Sequence, residues 1–421
     1  MSQDRVFATY HIETPYDLEY AAKVMAGEQS TGTFIAVPGE TEELKDRFAA
    51  KVVSVKELEV VTSPSLPGSK PPKGLDKAIS YRRGKVVLSF PLHNFGPSIP
   101  NLLSTVAGNL YELREFSGLR LMDLELPDAF KEKYSGPKFG IEGTRKLANA
   151  YNRPLIGTIV KPSIGLSPDD LRVVVRDLAL AGIDFIKDDE LNANPPYAPL
   201  KERVTAAMDE IERVADKTGK KVMYAFNITD DIDQLERNYE TVINAGGNCV
   251  MVSINSVGLS GVSYLRKFCE VPIHGHRNQW GAMTRCPQLG IEFTAYQKLC
   301  RLAGVDHLHC NGINSKFSES NESVIKSVKD CITPMFGGYT VMPVLSSAQW
   351  AGSAQDSYIT MKTVDVLHLA GGGIIGHPGG AKAGVKSMIQ GWEAAVSGVS
   401  IEEYAKTHVE LKQAIEKFGE S

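Results

Sequence analysis

The sequence predicts an α/β fold: a (β/α)8 TIM barrel preceded by an α+β, ferredoxin-like N-terminal domain, with an open doubly wound sheet as the alternative for the larger part. Three observations carry this prediction. From about residue 153, eight short apolar runs (155–160, 183–186, 222–226, 249–254, 271–274, 307–309, 340–345 and 366–369) are each followed by a segment able to form a helix. Upstream, strand and helix patterns mix without that rhythm. Lysines, carboxylates and histidines gather just past the apolar runs, where a parallel barrel keeps its chemistry. The 421 residues suffice for a large barrel and an appendage, and the boundary is placed between 1–140 and 141–421.

In chain order, residues 5–13 alternate as a strand, and 15–26 form a helix pattern with Leu18, Ala21, Ala22 and Met25 on one face. The stretch from Glu28 to Phe34 is dense in hydroxyls around Gly32 and reads as a turn, with an anion cradle as the sharper alternative. Further strands are expected at 49–56, 85–91 and 119–126 and a helix at 100–107, giving one antiparallel sheet backed by helices. Residues 64–74 hold four prolines and two glycines and read as a long, mobile loop. In the barrel, Ser167-Pro168-Asp169-Asp170 shows how a helix starts: serine cap, proline at the first helical position, acids in the first turn.

The second apolar run ends in Lys187-Asp188-Asp189-Glu190. On a surface such a string is a solvated ion pair. At the end of a buried strand, carboxylates must be paired or hold a metal, and oxygen ligands on one edge suit Mg²⁺. Other run ends agree: Lys161 after the first, His276 and Arg277 after the fifth, His309 with Lys316 in the loop after the sixth, Ser346 after the seventh, and Gly371-Gly372-Gly373 after the eighth. Each alone has a bland reading as core histidine, surface pair or structural glycine. Together they point to one pocket, and the glycines with Arg277 and Ser346 favour a phosphorylated small molecule.

Composition narrows the partners. The chain is 43% hydrophobic and 23% charged with net charge -4, which is ordinary for a globular protein. No basic stripe or aromatic platform appears, so nucleic acid is not an expected partner. No apolar stretch approaches a membrane span and the first residues carry no leader pattern, so a cytoplasmic location is expected. Six scattered cysteines without a C-x-x-C pair signal neither zinc nor disulfides.

These segments resemble the RuBisCO superfamily over nearly the whole chain. They are Ser30-Thr31-Gly32-Thr33-Phe34, Gly108-Asn109, Ile159-Val160-Lys161-Pro162, the run from Phe185 to Glu190, His276-Arg277, His307-Leu308-His309, Lys316, and the run from Gly371 to Pro378. The resemblance implies that Lys187 becomes a carbamate (N6-carboxylysine) and binds one Mg²⁺ with Asp189 and Glu190. In that family the metal polarises a keto oxygen and so stabilises an enediolate. It further implies that Lys161 is an acid/base lysine, that Lys316 holds a carboxylate, and that His276 and Asn109 count with the catalytic groups. Arg277, His309 and Ser346 would bind one end of the substrate, and Thr33 with Gly371 and Gly372 a phosphate. The family's N-terminal domain covers the neighbour's barrel, so Glu28 and Asn109 would reach the site of the other subunit in a homodimer or an assembly of dimers.

Departures from the carboxylating pattern define the function expected. Ser163 stands where carboxylating enzymes have a second lysine, Ser347-Ala348 where two glycines are expected, Phe34 for a tryptophan, and the loop around Lys316 differs throughout. The chain therefore resembles a type IV, RuBisCO-like protein that retains metal-assisted enolisation without CO₂ fixation. Lys316 and Asn109 tip the choice to decarboxylation of a 3-oxo sugar-acid phosphate, such as 3-oxo-isoapionate 4-phosphate. An isomerase or enolase of a methylthio-pentulose phosphate is the alternative, although Asn109 replaces a lysine of such enolases. A catalytically silent regulator ranks last, because the metal triad is intact.

Overall fold

The computed structural model describes residues 4–32, 37–73 and 79–419. They form two compact units, Met1–Ser135 with Gln279–Leu302, and Gly136–Asn278 with Ala303–Ser421.

The first unit is built on β1 (Arg5–Thr14), β2 (Lys51–Val61), β3 (Tyr81–Pro91) and β4 (Gly118–Glu125). Val6, Ala8, Tyr10 and Ile12 alternate into its core, the period-2 signature that made β1 readable. Tyr10 donates to the carbonyl of Val106 in the helix Ile99–Ala107 (2.7 Å), satisfying its buried hydroxyl. With a fifth strand, β10 (Leu289–Ile291), the sheet order is β10-β4-β1-β3-β2, and only its four N-terminal strands are antiparallel. The fifth pairs parallel to β4 although it follows the barrel's fifth strand. The expectation of one antiparallel sheet confined to residues before 141 is corrected there, because three residues are too short for a periodic signal. A further helix spans Glu42–Phe48, capped by Thr41 and acidic in its first turn.

The 64–74 loop is tied down through its described part, which ends at 73. Ser65 donates to the buried Glu13 through its backbone (2.7 Å) and hydroxyl (2.6 Å), Leu66 N–H donates to Ser117 O (2.9 Å), and Lys70 N–H to Arg114 O (2.8 Å). Proline and glycine exclude a ladder here, yet the backbone donors of Ser65, Leu66 and Lys70 all find partners.

The second unit is a closed barrel of eight parallel strands. They are β5 (Leu155–Ile159), β6 (Phe185–Lys187), β7 (Met223–Asn227), β8 (Cys249–Ser253), β9 (Ile273–His276), β11 (His307–His309), β12 (Met342–Leu345) and β13 (Leu367–Leu369). Leu155, Phe185, Met223, Cys249, Met251, Met342, Val344, Leu367 and Leu369 fill its interior. Gly157 must be glycine, since a Cβ would come within 2.6 Å of Leu369 Cδ2. Several strands sit one or two residues later than the apolar runs, so Lys187, Asn227 and His276 are final strand residues instead of loop residues. Hydrophobicity ends where the polar top layer begins, while the backbone ladder continues through it. No helix among the described residues is long and apolar enough to cross a membrane.

Candidate active site

Alternation along β6 turns Phe185 and Lys187 into the barrel and Asp188 outward. Asp188 accepts from Arg203 (Nη2 3.1 Å, Nε 3.3 Å), from the Asn227 N–H (2.9 Å) and from the Tyr224 hydroxyl (2.7 Å). Burial and the neighbouring Asp188 push the Tyr224 phenol well up, so it stays a donor. Arg203, from the helix Leu200–Thr218, also donates to the carbonyls of Asn192, Ala193 and Ala198. One buried ion pair thus clamps the loop that carries the next two carboxylates.

Lys187 is fully buried. Its Nζ donates to Asp188 O (2.8 Å) and lies 3.5 Å from Glu190 Oε2. Burial lowers its pKa against the opposing pull of Glu190 and Asp189, moving it toward the neutral amine that carbamate formation requires. Asp189 would be raised by burial, but hydrogen bonds from Lys161, Ser163 and the Leu191 N–H outweigh this and hold it low. Lys161 Nζ lies 2.9 Å from Asp189 Oδ2 and 2.7 Å from Ser163 Oγ. Ser163 therefore does more than remove a charge: it orients Lys161. On the other side His276 Nε2 lies 3.4 Å from Glu190 Oε2, while His276 Nδ1 accepts from the Asn278 N–H (3.2 Å). Burial first, and Lys187 next, push the His276 pKa down to about 4.

The donor set fits a hard cation only in one way. Among the described residues no trio of His, Cys, Asp and Glu is assembled to hold a metal. Asp189 and Glu190 offer two carboxylates, and the buried amine of Lys187 lies 3.5 Å from Glu190 Oε2. A carbamate there would complete an anionic set of three, as Mg²⁺ prefers.

Further round the barrel mouth, His309 packs against His276 with the ring planes tilted (centroids 4.4 Å), and its Nδ1 lies 3.2 Å from Ser346 Oγ. Arg277 is buried and paired with Glu319 (2.6 Å), which also accepts from Asn311 Nδ2 (2.6 Å). Lys316 is exposed, with its ammonium 5.4 Å from the ring centroid of Phe317. The three glycines differ in role. Gly371 lies against the Lys161 side chain, Gly372 faces open space, and Gly373 is pressed so close to Gln349 O that a Cβ would meet it at 2.5 Å. Glu28 ends the helix Leu18–Glu28 and Asn109 opens the 3-10 turn Asn109–Glu112, both in the first unit. Turned so that its oxygen faces the Asn109 N–H, the Gln29 amide would accept from it and donate to Ser104 O (3.2 Å each). Thr33 lies outside the described residues.

Sequence reading missed the Asp188–Arg203 clamp, the Ser163 contact, and the histidines below His276 and His309. The last had a signal: His274 and His276, like His307 and His309, are two apart and so share a face.

Comparison with known proteins is consistent over the whole chain. The family model of the ribulose bisphosphate carboxylase large chain, catalytic domain, matches residues 140–418, and that of its N-terminal domain residues 1–130. A 3-oxo-isoapionate-4-phosphate transcarboxylase/hydrolase of Xanthobacter autotrophicus is 48% identical over 98% of this chain and 99% of its own. A 3-oxo-isoapionate-4-phosphate decarboxylase of Rhizobium etli is 46% identical over 98% of each. The crystal structure of a rubisco-like protein from Burkholderia fungorum superposes with TM-score 0.92 at 44% identity, covering 99% of this chain and all of that one.

Proposed function

The chain belongs to the ribulose bisphosphate carboxylase large-chain family as a RuBisCO-like protein, and on that premise we propose that it is a carboxy-lyase acting on 3-oxo-isoapionate 4-phosphate in carbohydrate breakdown. The observation that carries the reading is the full-length identity of 46% to a decarboxylase of that compound. The site chemistry supports it. A 3-oxo acid loses CO₂ by breaking the bond between its carboxyl carbon and C2, with the electron pair moving toward the C3 oxygen. C2 then takes a proton.

In this reading Lys187, as its carbamate, holds one Mg²⁺ with Asp189 and Glu190. Bound there, the ion would polarise the keto oxygen as a Lewis acid. Lys161, held by Ser163 and Asp189, moves the proton. The neutral His276 flanks Glu190. Arg277 and the backbone at Gly371 and Gly372 take the phosphate, with Thr33 added by the second subunit. Lys316 swings in to bind the departing carboxylate. Glu28 and Asn109 come from the second subunit of a homodimer, an assembly seen in a dimeric archaeal RuBisCO of Hyperthermus butylicus at 28% identity and TM-score 0.85.

Incubation with 3-oxo-isoapionate 4-phosphate tests the reading, with stoichiometric CO₂ release expected. The 48% identity to a transcarboxylase/hydrolase favours one other outcome, consumption of the substrate with its carboxyl carbon retained. An unchanged substrate overturns both. Ribulose bisphosphate should not be carboxylated, and labelled CO₂ appearing in a phosphoglycerate would contradict that.

A further inference from the structure

Beneath the active site a single file of hydrogen bonds crosses the barrel core. It begins at Thr144 in the helix Gly140–Ala148, whose hydroxyl donates to Gly140 O. Thr144 Oγ1 lies 2.9 Å from His307 Nε2, His307 Nδ1 lies 3.2 Å from His274 Nδ1, and His274 Nε2 lies 2.9 Å from His309 Nε2. The file ends at His309 Nδ1 and Ser346 Oγ, 3.2 Å apart. Both inner imidazoles pack against Phe185, with ring centroids at 5.1 and 5.7 Å. Burial pushes all three histidines down, His307 to about 3, so each is neutral and carries one ring hydrogen.

With the Thr144 hydrogen on the helix carbonyl, one hydrogen per ring leaves a single consistent assignment. The Thr144 hydrogen is committed to the helix carbonyl, so Thr144 Oγ1 accepts, and His307 must be protonated at Nε2. Its Nδ1 is then a lone pair, which requires hydrogen on His274 Nδ1. His274 Nε2 in turn accepts, and His309 is protonated at Nε2. The lone pair on His309 Nδ1 finally draws the Ser346 hydroxyl hydrogen. Thr144 closes the far end on a backbone carbonyl that cannot release a proton, so the file orients groups and does not conduct protons.

We infer that Thr144, His307 and His274 are positioning residues that fix the tautomer of His309 and thereby turn Ser346 into a hydrogen-bond acceptor toward the substrate. A serine whose hydrogen is spent inward presents only lone pairs to the pocket. It would bind a hydroxyl of the substrate and would not bind phosphate, leaving the anion to Arg277 and the Gly371–Gly372 backbone. The ligand named here rests on the decarboxylase reading; the polarity of the file does not.

The test has two arms, both on the full-length protein. Two-bond ¹H–¹⁵N spectra of protein with ¹⁵N-labelled histidine should show His307 and His309 protonated at Nε2 and His274 at Nδ1 near pH 7.5. The opposite tautomer, or an imidazolium, at any of the three overturns the inference, whatever the substrate proves to be. Thr144→Val should mix the tautomers and raise KM about tenfold with kcat within about threefold, the scale of one hydrogen bond. Thr144→Ser should restore both. Unchanged tautomers in Thr144→Val, or failure of Thr144→Ser to restore them, would also overturn it. If Thr144→Val does not fold, the wild-type and Thr144→Ser spectra still decide. Correct tautomers with no turnover on 3-oxo-isoapionate 4-phosphate would reject the substrate and keep the file.

Discussion

A lysine with no exposed surface is costly to keep charged, and Lys187 relieves that cost in two ways: a lowered pKa and a contact with Glu190. Converting the amine to a carbamate removes the buried cation and adds a ligand, so one residue should carry both CO₂ and metal dependence. Lys187→Ala is expected to cut turnover by at least about 10³, with far-UV dichroism and melting temperature close to wild type. Near-normal activity in that variant, or after chelation, would sink the metal-enolisation mechanism. Ser163 matters at the same scale, because Lys161 has two partners and only Ser163 is neutral. Ser163→Ala should leave Lys161 paired with Asp189 alone and lower kcat about tenfold with little change in KM. A change in KM alone would assign Ser163 to ground-state binding instead.

At the scale of elements, the site depends on how the loop after β6 is anchored. Arg203 and Asp188 are both almost fully buried, and such a pair holds shape more than it adds stability. Arg203→Met should cost about 3–5 kcal/mol in urea unfolding, because it strands the Asp188 carboxylate. Adding Asp188→Asn should recover part of that loss. An equal loss in the double variant would mean that packing of the arginine stem, not its charge, holds the loop. The same anchoring explains why the carboxylates of one four-residue string part company. Asp188 serves the helix side, and Asp189 and Glu190 serve the pocket.

For the whole molecule, buried neutral histidines link folding to acidity. His307 and His368 are both pushed down by burial to about 3 from an ordinary value near 6.5. His368 accepts from Trp392 Nε1 (2.8 Å), a bond its protonation at Nδ1 would break. Because their folded pKa values are depressed, the unfolded chain binds protons first as pH falls. Their contribution is therefore full above about pH 6.5 and is lost as the pH falls toward about 3. Each should cost roughly 1 kcal/mol of unfolding free energy between pH 7.5 and 5.5. Urea midpoints at the two pH values with an unchanged slope measure it, and a flat profile would show these rings accept protons in the fold. Assembly is tested by mixing Lys187→Ala and Asn109→Ala subunits under exchange. If sites are shared and each variant is inactive alone, about half the dimers are mixed with one of two sites intact, restoring about a quarter of the activity. No recovery despite verified exchange would mean that each subunit completes its own site.

The fold class was legible because a barrel is written by repetition: eight apolar runs with helix patterns between them, and polar residues at one end of each. The gathering of Lys161, Lys187, Asp189, Glu190 and His276 followed from the same rule, since parallel strands deliver their final residues to one rim. Periodicity records which positions are buried; it does not record which distant group each polar atom meets. Only the folded chain turned Asp188 toward Arg203, gave Lys161 a serine partner, and added three residues near position 290 to the N-terminal sheet. It also brought His307 and His274 beneath His309, strands apart in sequence, so that a threonine on the helix Gly140–Ala148 governs which way a serine at the rim points its hydrogen. The histidine contacts join residues more than 30 apart, set by strand stagger and pairing, and a local pattern carries no information over that distance; the shorter-range pairs of Asp188 and Lys161 depend on where the loops turn, which periodicity does not record either.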